Sequence, residues 1–159
     1  MPNWNDLHGP RLGIALHYTA GSYEGSVAWC KDPAAKVSYQ WILAQDGRAE
    51  VIAPWNKRAW HMGVCRSSDP RLVYADANSA FEGLALAATD GDVITPGALC
   101  VLVDMIRNRF AANGWDRSET WRITGHDKEA WPRGRKTDPR GTKAVPVIDV
   151  QQVRRLVAA

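Results

Sequence analysis

Long hydrophobic runs are missing from these 159 residues; the longest, Leu84–Ala88 and Ala98–Val103, are far too short to span a bilayer. No stable membrane insertion is therefore expected. The first ten residues, Met1 to Pro10, contain neither a basic n-region nor an apolar h-region, so the chain reads as a cytoplasmic protein without a secretory signal. Cysteine is scarce as well. Cys30, Cys65 and Cys100 form no close pair and no C-x-x-C spacing, which excludes a disulfide framework and a thiolate cluster. They read as reduced, with Cys100 placed on a helix and assigned to the core. Neither a helix-turn-helix pattern nor the aromatic–basic interleaving of single-strand binders is present, so no nucleic-acid partner is expected. Internal repeats and linkers are also absent, and a monomer is expected.

What is present is an ordinary globular balance: 45% hydrophobic and 23% charged residues, enough chain for one domain over 1–159 with its own core. Disorder and coiled coil are thereby excluded. The formal charge of +3 is unevenly spread. Up to Ile106 there are 8 Lys/Arg against 11 Asp/Glu, and from Arg107 onward 12 against 6. A basic final third can attract nucleic acid, anionic lipid or an anionic polymer such as bacterial cell wall.

Periodicity outlines the architecture. Leu12–Tyr18 is apolar on both faces, as a central strand must be. A short helix is expected around Ser26–Cys30, broken by Asp32-Pro33. Val37–Ala44 reads as a strand with Tyr39 and Trp41 on one face and Gln40 and Ile42 on the other. Asp46-Gly47 is a hairpin signal, and Arg48–Ala53 returns. After an irregular stretch over Val64–Ala80, Glu82–Ala88 reads as a buried strand. Thr95-Pro96 opens a helix striped by Leu99, Leu102, Val103, Ile106 and Phe110 and closed by Gly114. A strand over Trp121–Thr124 and a last helix capped by Asp149 complete an α/β domain with a mixed central sheet flanked by helices.

The chemistry concentrates in Trp121–Gly141, where a strand ends in Gly125-His126 and a Pro/Gly/Arg-rich loop then delivers Lys136 and Asp138. Residues two apart on extended chain share a side, so Lys136 and Asp138 can face His126 together. His17 ends an earlier strand, and strand ends along one sheet edge are where α/β sites gather. Two imidazoles and one carboxylate suit zinc and leave it an open position for water or substrate.

Four segments in order, Leu16-His-Tyr-Thr-Ala20, Val37-Ser-Tyr-Gln-Trp-Ile-Leu-Ala-Gln-Asp-Gly47, Ala59-Trp-His-Met-Gly63 and Gly125-His126 with Lys136-Thr-Asp-Pro139, carry a wider resemblance. The sequence resembles the zinc-dependent N-acetylmuramoyl-L-alanine amidases, the type 2 amidase and peptidoglycan-recognition class. The resemblance implies that fold, one zinc ion on His17, His126 and Asp138, a catalytic Lys136, and Tyr39 in the site. It implies hydrolysis of the bond between the lactyl group of N-acetylmuramic acid and L-alanine of the peptidoglycan stem peptide. His61 is an implied substrate contact at the cleft rim; Trp60 and Trp131 border the expected cleft and can offer apolar faces to a sugar or the lactyl group, and Arg133, Arg135 and Arg140 are candidates to attract stem-peptide carboxylates. Many relatives carry a glutamate where this chain has Ala85, and Glu82 lies on the opposite strand face. The phage lysozyme-type enzymes also lack it, so the site pattern is closest to an endolysin released through a holin. A cytoplasmic amidase recycling anhydro-muropeptides and a non-catalytic peptidoglycan-binding module are the alternatives.

Overall fold

The computed structural model describes residues 2–159, so Met1 of the single domain expected over 1–159 lies outside the described residues. Among the described residues there are seven short strands: β1 (Trp4–Asp6), β2 (Gly13–Tyr18), β3 (Trp41–Leu43), β4 (Ala49–Val51), β5 (Lys57–Ala59), β6 (Phe81–Leu86) and β7 (Ile123–Gly125). Five of them make a mixed sheet in the order β4-β3-β6-β2-β7. β3, β6, β2 and β7 run parallel, and β4 is antiparallel to β3. The β3–β4 turn places Gly47 at φ +89°, a conformation that glycine adopts without the steric cost of a Cβ. β1 and β5 form a separate antiparallel pair.

The helices are α1 (Tyr23–Lys31), α2 (Ala77–Ala80), α3 (Pro96–Asn113), α4 (His126–Glu129) and α5 (Val150–Ala158). α3 forms where its stripe and caps predict. The Thr95 hydroxyl accepts from the Ala98 amide, Pro96 stands in the first turn, and Gly114 ends the helix in the left-handed region. Asp149 caps α5 by accepting from the Gln151 and Gln152 amides. No described helix is long and apolar enough to cross a membrane.

Strand alternation decides where the site lies. On β2, Ile14 and Leu16 point into the main core with Leu84 and Leu86 of β6, against Leu102, Val103, Ile106 and Phe110 of α3 and Val153 and Val157 of α5. Ala15 belongs to a second cluster with Met62, Leu72 and Phe81. His17, two residues beyond Ala15, therefore emerges on the sheet face away from α3. α1 covers part of that other face through Cys30, which packs with Ile42 and Ala87.

Several local expectations are corrected. Only Trp41–Leu43 of the expected Val37–Ala44 strand is regular. Upstream, the buried Gln40 side chain takes the place of a ladder group: its Oε1 accepts from the Gly83 amide at 2.6 Å and its Nε2 donates to the Lys57 carbonyl at 2.9 Å. The alternation breaks there, so Tyr39 packs with Ile42, whereas Trp41 packs against the main core. Trp121 and Arg122 lie in a 3-10 turn, and the strand begins at Ile123. The stretch over 64–80 contains α2, and β1 was not expected, being a strand of three residues with little periodicity to read. Cys100 is exposed, not core, because it falls off the α3 stripe.

Candidate metal centre and catalytic site

Parallel pairing of β2 with β7 sets Leu16 beside Gly125, so the next residue of each chain, His17 and His126, leaves the sheet at the same edge. Gly125 lets the third residue in. A Cβ there would meet the Pro139 ring at 2.7 Å, so only glycine allows the loop to lie against the strand. The loop is pinned by the Asp127 amide donating to the Asp138 carbonyl at 2.7 Å and the Ile148 amide donating to the Pro139 carbonyl at 3.0 Å. Asp138 Oδ2 consequently stands 2.8 Å from His17 Nδ1 and 3.1 Å from His126 Nδ1. The ligand atoms of these three side chains all lie within 4.8 Å of one another.

Proton bookkeeping shows what this arrangement is suited to hold. The Met62 carbonyl can only accept, and His126 Nε2 lies 2.8 Å from it, so Nε2 carries the proton. In the neutral ring, His126 Nδ1 then presents a lone pair to a carboxylate oxygen. A cation between such electron-pair donors relieves their mutual repulsion, and nitrogen with oxygen donors fits zinc. Burial lowers the His17 pKa against the opposing pull of Asp138. Burial works to raise Asp138, whereas the His126 and His17 imidazoles, when they carry a proton on Nδ1, pull it well below the usual carboxylate range.

The site opens into a cavity of about 320 Å³ whose walls include Tyr39, His61, His126, Arg135, Lys136 and Asp138. The Tyr39 ring lies 5.0 Å from that of His17. Burial, and then the Asp138 charge, push the Tyr39 hydroxyl above its ordinary range, so it stays protonated and serves as a donor. Lys136 is exposed at the rim.

Of the other expected contacts, His61 and Arg135 line the cavity. Trp60 and Trp131 are absent from the cavity lining. The Trp60 indole donates to Asn5 at 3.0 Å, tying it to β1. Trp131 is exposed on the outer surface, flanked by the guanidinium groups of Arg66 and Arg133. His61 is buried beneath His17 rather than on the rim, with Nδ1 at 3.0 Å from His17 Nε2. Arg133 and Arg135 are loop staples: Arg133 donates to the carbonyls of Lys128, Ala130 and Arg66, and Arg135 to those of Trp131, Met62 and Val64. Glu82 turns to α3, where Arg109 grips it at 2.7 and 3.0 Å. Met62 and Gly83 escaped the sequence reading because their contribution is a carbonyl and a missing Cβ, neither of which leaves a compositional signal.

Comparison with known proteins agrees with this geometry. The profile of the family described as N-acetylmuramoyl-L-alanine amidase matches residues 8–141, a span that holds every candidate site residue. N-acetylmuramoyl-L-alanine amidase A of Achromobacter lyticus is 28% identical over 60 residues, which cover 37% of this chain and 34% of that protein. The match thus spans about a third of the curated relative's length. A selenomethionine derivative of AmpD superposes with a TM-score of 0.74 at 22% identity, over 98% of this chain and 90% of that chain. The E. coli amidase AmiD, solved with anhydro-N-acetylmuramic acid-L-Ala-D-γ-Glu-L-Lys, gives 0.72 at 18% identity, over 94% of this chain and 59% of that chain. At these identities the structural likeness concerns the fold.

Proposed function

The chain belongs to the N-acetylmuramoyl-L-alanine amidase family, and on that premise we propose that it hydrolyses the amide joining the lactyl group of N-acetylmuramic acid to L-alanine of the peptidoglycan stem peptide. The observation that carries the reading is the convergence of His17, His126 and Asp138, with Tyr39 and Lys136 on the walls of the same cavity. A zinc ion held by those three residues would polarise the amide carbonyl and lower the pKa of a water nucleophile toward about 7. Lys136, a mobile point charge at the rim, stabilises the oxyanion that develops on the carbonyl oxygen. Tyr39, whose hydroxyl is pushed toward its protonated form by burial and then by the Asp138 charge, donates a hydrogen bond to that oxygen or to the departing nitrogen. Ala85 offers no carboxylate in its place.

The cavity continues into a neutral groove of about 530 Å³ that shares Thr19, Val37 and Tyr39 with the site and adds Ser22, Ser26 and Trp29. Hydroxyls and an exposed indole without charge suit the sugar, leaving the Lys136 side for the carboxylates of the stem peptide. Trp29→Ala should raise KM for a muropeptide about 3–10-fold, the worth of one ring contact, with kcat little changed. A kcat loss with KM unmoved in steady-state kinetics would contradict this orientation.

The activity itself is tested by the release of new amino groups from purified peptidoglycan. Chelation should abolish release and zinc restore it; hydrolysis by the metal-free protein would refute the reading. Lys136→Ala should keep its zinc and lose about 10²–10³ in kcat. Full turnover in the variant would remove Lys136 from the mechanism, and binding without hydrolysis by the wild-type protein would make the chain a recognition module.

Within this activity we favour an endolysin, on the combination of Tyr39 in the site with Ala85 at the glutamate position. The muropeptide bound to AmiD supports the second reading, recycling of soluble anhydro-muropeptides. Comparing kcat/KM on intact sacculi with that on a soluble anhydro-muropeptide separates the two.

A further inference from the structure

Both ring nitrogens of His61 are committed to protein partners, which leaves none for a substrate. Nε2 lies 3.2 Å from the Phe81 carbonyl and Nδ1 lies 3.0 Å from His17 Nε2. A carbonyl only accepts, so the proton of a neutral His61 sits on Nε2 and its Nδ1 is a bare acceptor. The hydrogen between the two rings therefore belongs to His17 Nε2, and His17 Nδ1 is left with a lone pair aimed at Asp138. We infer that His61 is a positioning residue that sets the tautomer and ring angle of His17, presenting Nδ1 to the metal, as the Met62 carbonyl does for His126.

The surroundings are built to hold His61 in that role. The ring lies on Gly83, where a Cβ would come within 2.8 Å of Nδ1 and 2.9 Å of Cγ. Its backbone is fixed from below, because Asn78 Oδ1 accepts from the amides of both His61 and Met62, at 2.9 and 2.8 Å. The two imidazoles meet edge to face at 87°, with centroids 5.0 Å apart. A carbonyl, an imidazole, an imidazole and a carboxylate thus form a line in which each hydrogen has a single place.

The inference rests on the zinc reading for its consequence but not for its geometry, and two measurements separate them. In metal-free wild-type protein, long-range ¹H–¹⁵N spectra should show His17 protonated on Nε2 and His61 on Nε2. A proton on His17 Nδ1 overturns the proposal whatever the protein does with zinc. In the second measurement, zinc affinity is read by competition with a chromophoric chelator. His61→Leu, which keeps bulk and removes the acceptor, should bind zinc about 10–100-fold more weakly, the usual cost of losing an outer partner. His61→Asn, whose Oδ1 falls where Nδ1 was, should stay within about threefold of wild type on the same scale. Equal loss in both variants, or no loss in a folded leucine variant, refutes the role. Failure of the wild-type protein to bind zinc, with the tautomers as stated, would instead count against the metal reading alone.

Discussion

Asp138→Ala is expected to end both metal binding and turnover. Its Oδ2 is the shared point between two imidazole nitrogens, at 2.8 and 3.1 Å. Removing it takes away one of the three proposed ligands and the only negative charge among them. Zinc affinity should fall on the order of 10³-fold or more, beyond the 10–100-fold cost of disturbing an outer partner. Turnover on peptidoglycan should drop below detection at zinc concentrations that saturate wild type. Asp138→Cys provides the control, since a thiolate is also a zinc ligand; it should recover much of the affinity that alanine loses. Equilibrium competition with a chelator reads both variants, and wild-type affinity in the alanine variant would show that the ion sits elsewhere.

Glu82→Ala is expected to be the most damaging change to stability and nearly silent for catalysis. Glu82 is fully buried, bonded to Arg109 through both oxygens and to Asn113 at 2.9 Å. Arg109 also lies over the Trp55 ring at 4.6 Å and cannot easily swing to solvent. Removing one partner of a buried pair leaves the other charge uncompensated and costs about 3–5 kcal/mol. For a chain of this size that is on the order of 10 °C in Tm. Replacing Glu82 and Arg109 together by leucine and methionine should return most of the loss, because no lone charge is left buried. Below the melting transition, kcat of the folded Glu82→Ala variant should match wild type, since the carboxylate faces α3 and not the proposed metal centre. An alanine variant that folds as stably as wild type but loses kcat would mean that Glu82 reaches the site.

These two carboxylates show how far the chain could be read before folding. Asp138 was legible because its neighbours form a motif: Gly125-His126 followed by Lys136 and Asp138, with His17 at an earlier strand end. Glu82 was assigned to the face away from the site by strand parity alone, and its salt bridge to Arg109 supplies the reason a charge is tolerated there. The helix α3 was legible in its boundaries, since Thr95, Pro96 and Gly114 are local signals acting on their own backbone. Tyr39 was placed in the site by resemblance, but its strand face was misjudged. Gln40 interrupts the alternation with side-chain bonds to residues far along the chain, and local periodicity has no access to those.

By itself, then, the sequence determined the class of fold, the caps of α3 and α5 and the grouping of His17, His126 and Asp138, all of which follow from short-range pattern or spaced motif. Tertiary structure alone decided what each remaining polar group faces. It buried His61 under His17 instead of leaving it on the rim, folded Arg133 and Arg135 back onto loop carbonyls, and moved Trp60 and Trp131 off the cavity wall while bringing Trp29 to the groove beside it. The physical reason is the same in each case. Hydrogen-bond acceptors such as the Met62 and Phe81 carbonyls, and spaces such as those above Gly83 and Gly125, carry no side-chain identity, so they exist only once the strands have set their register.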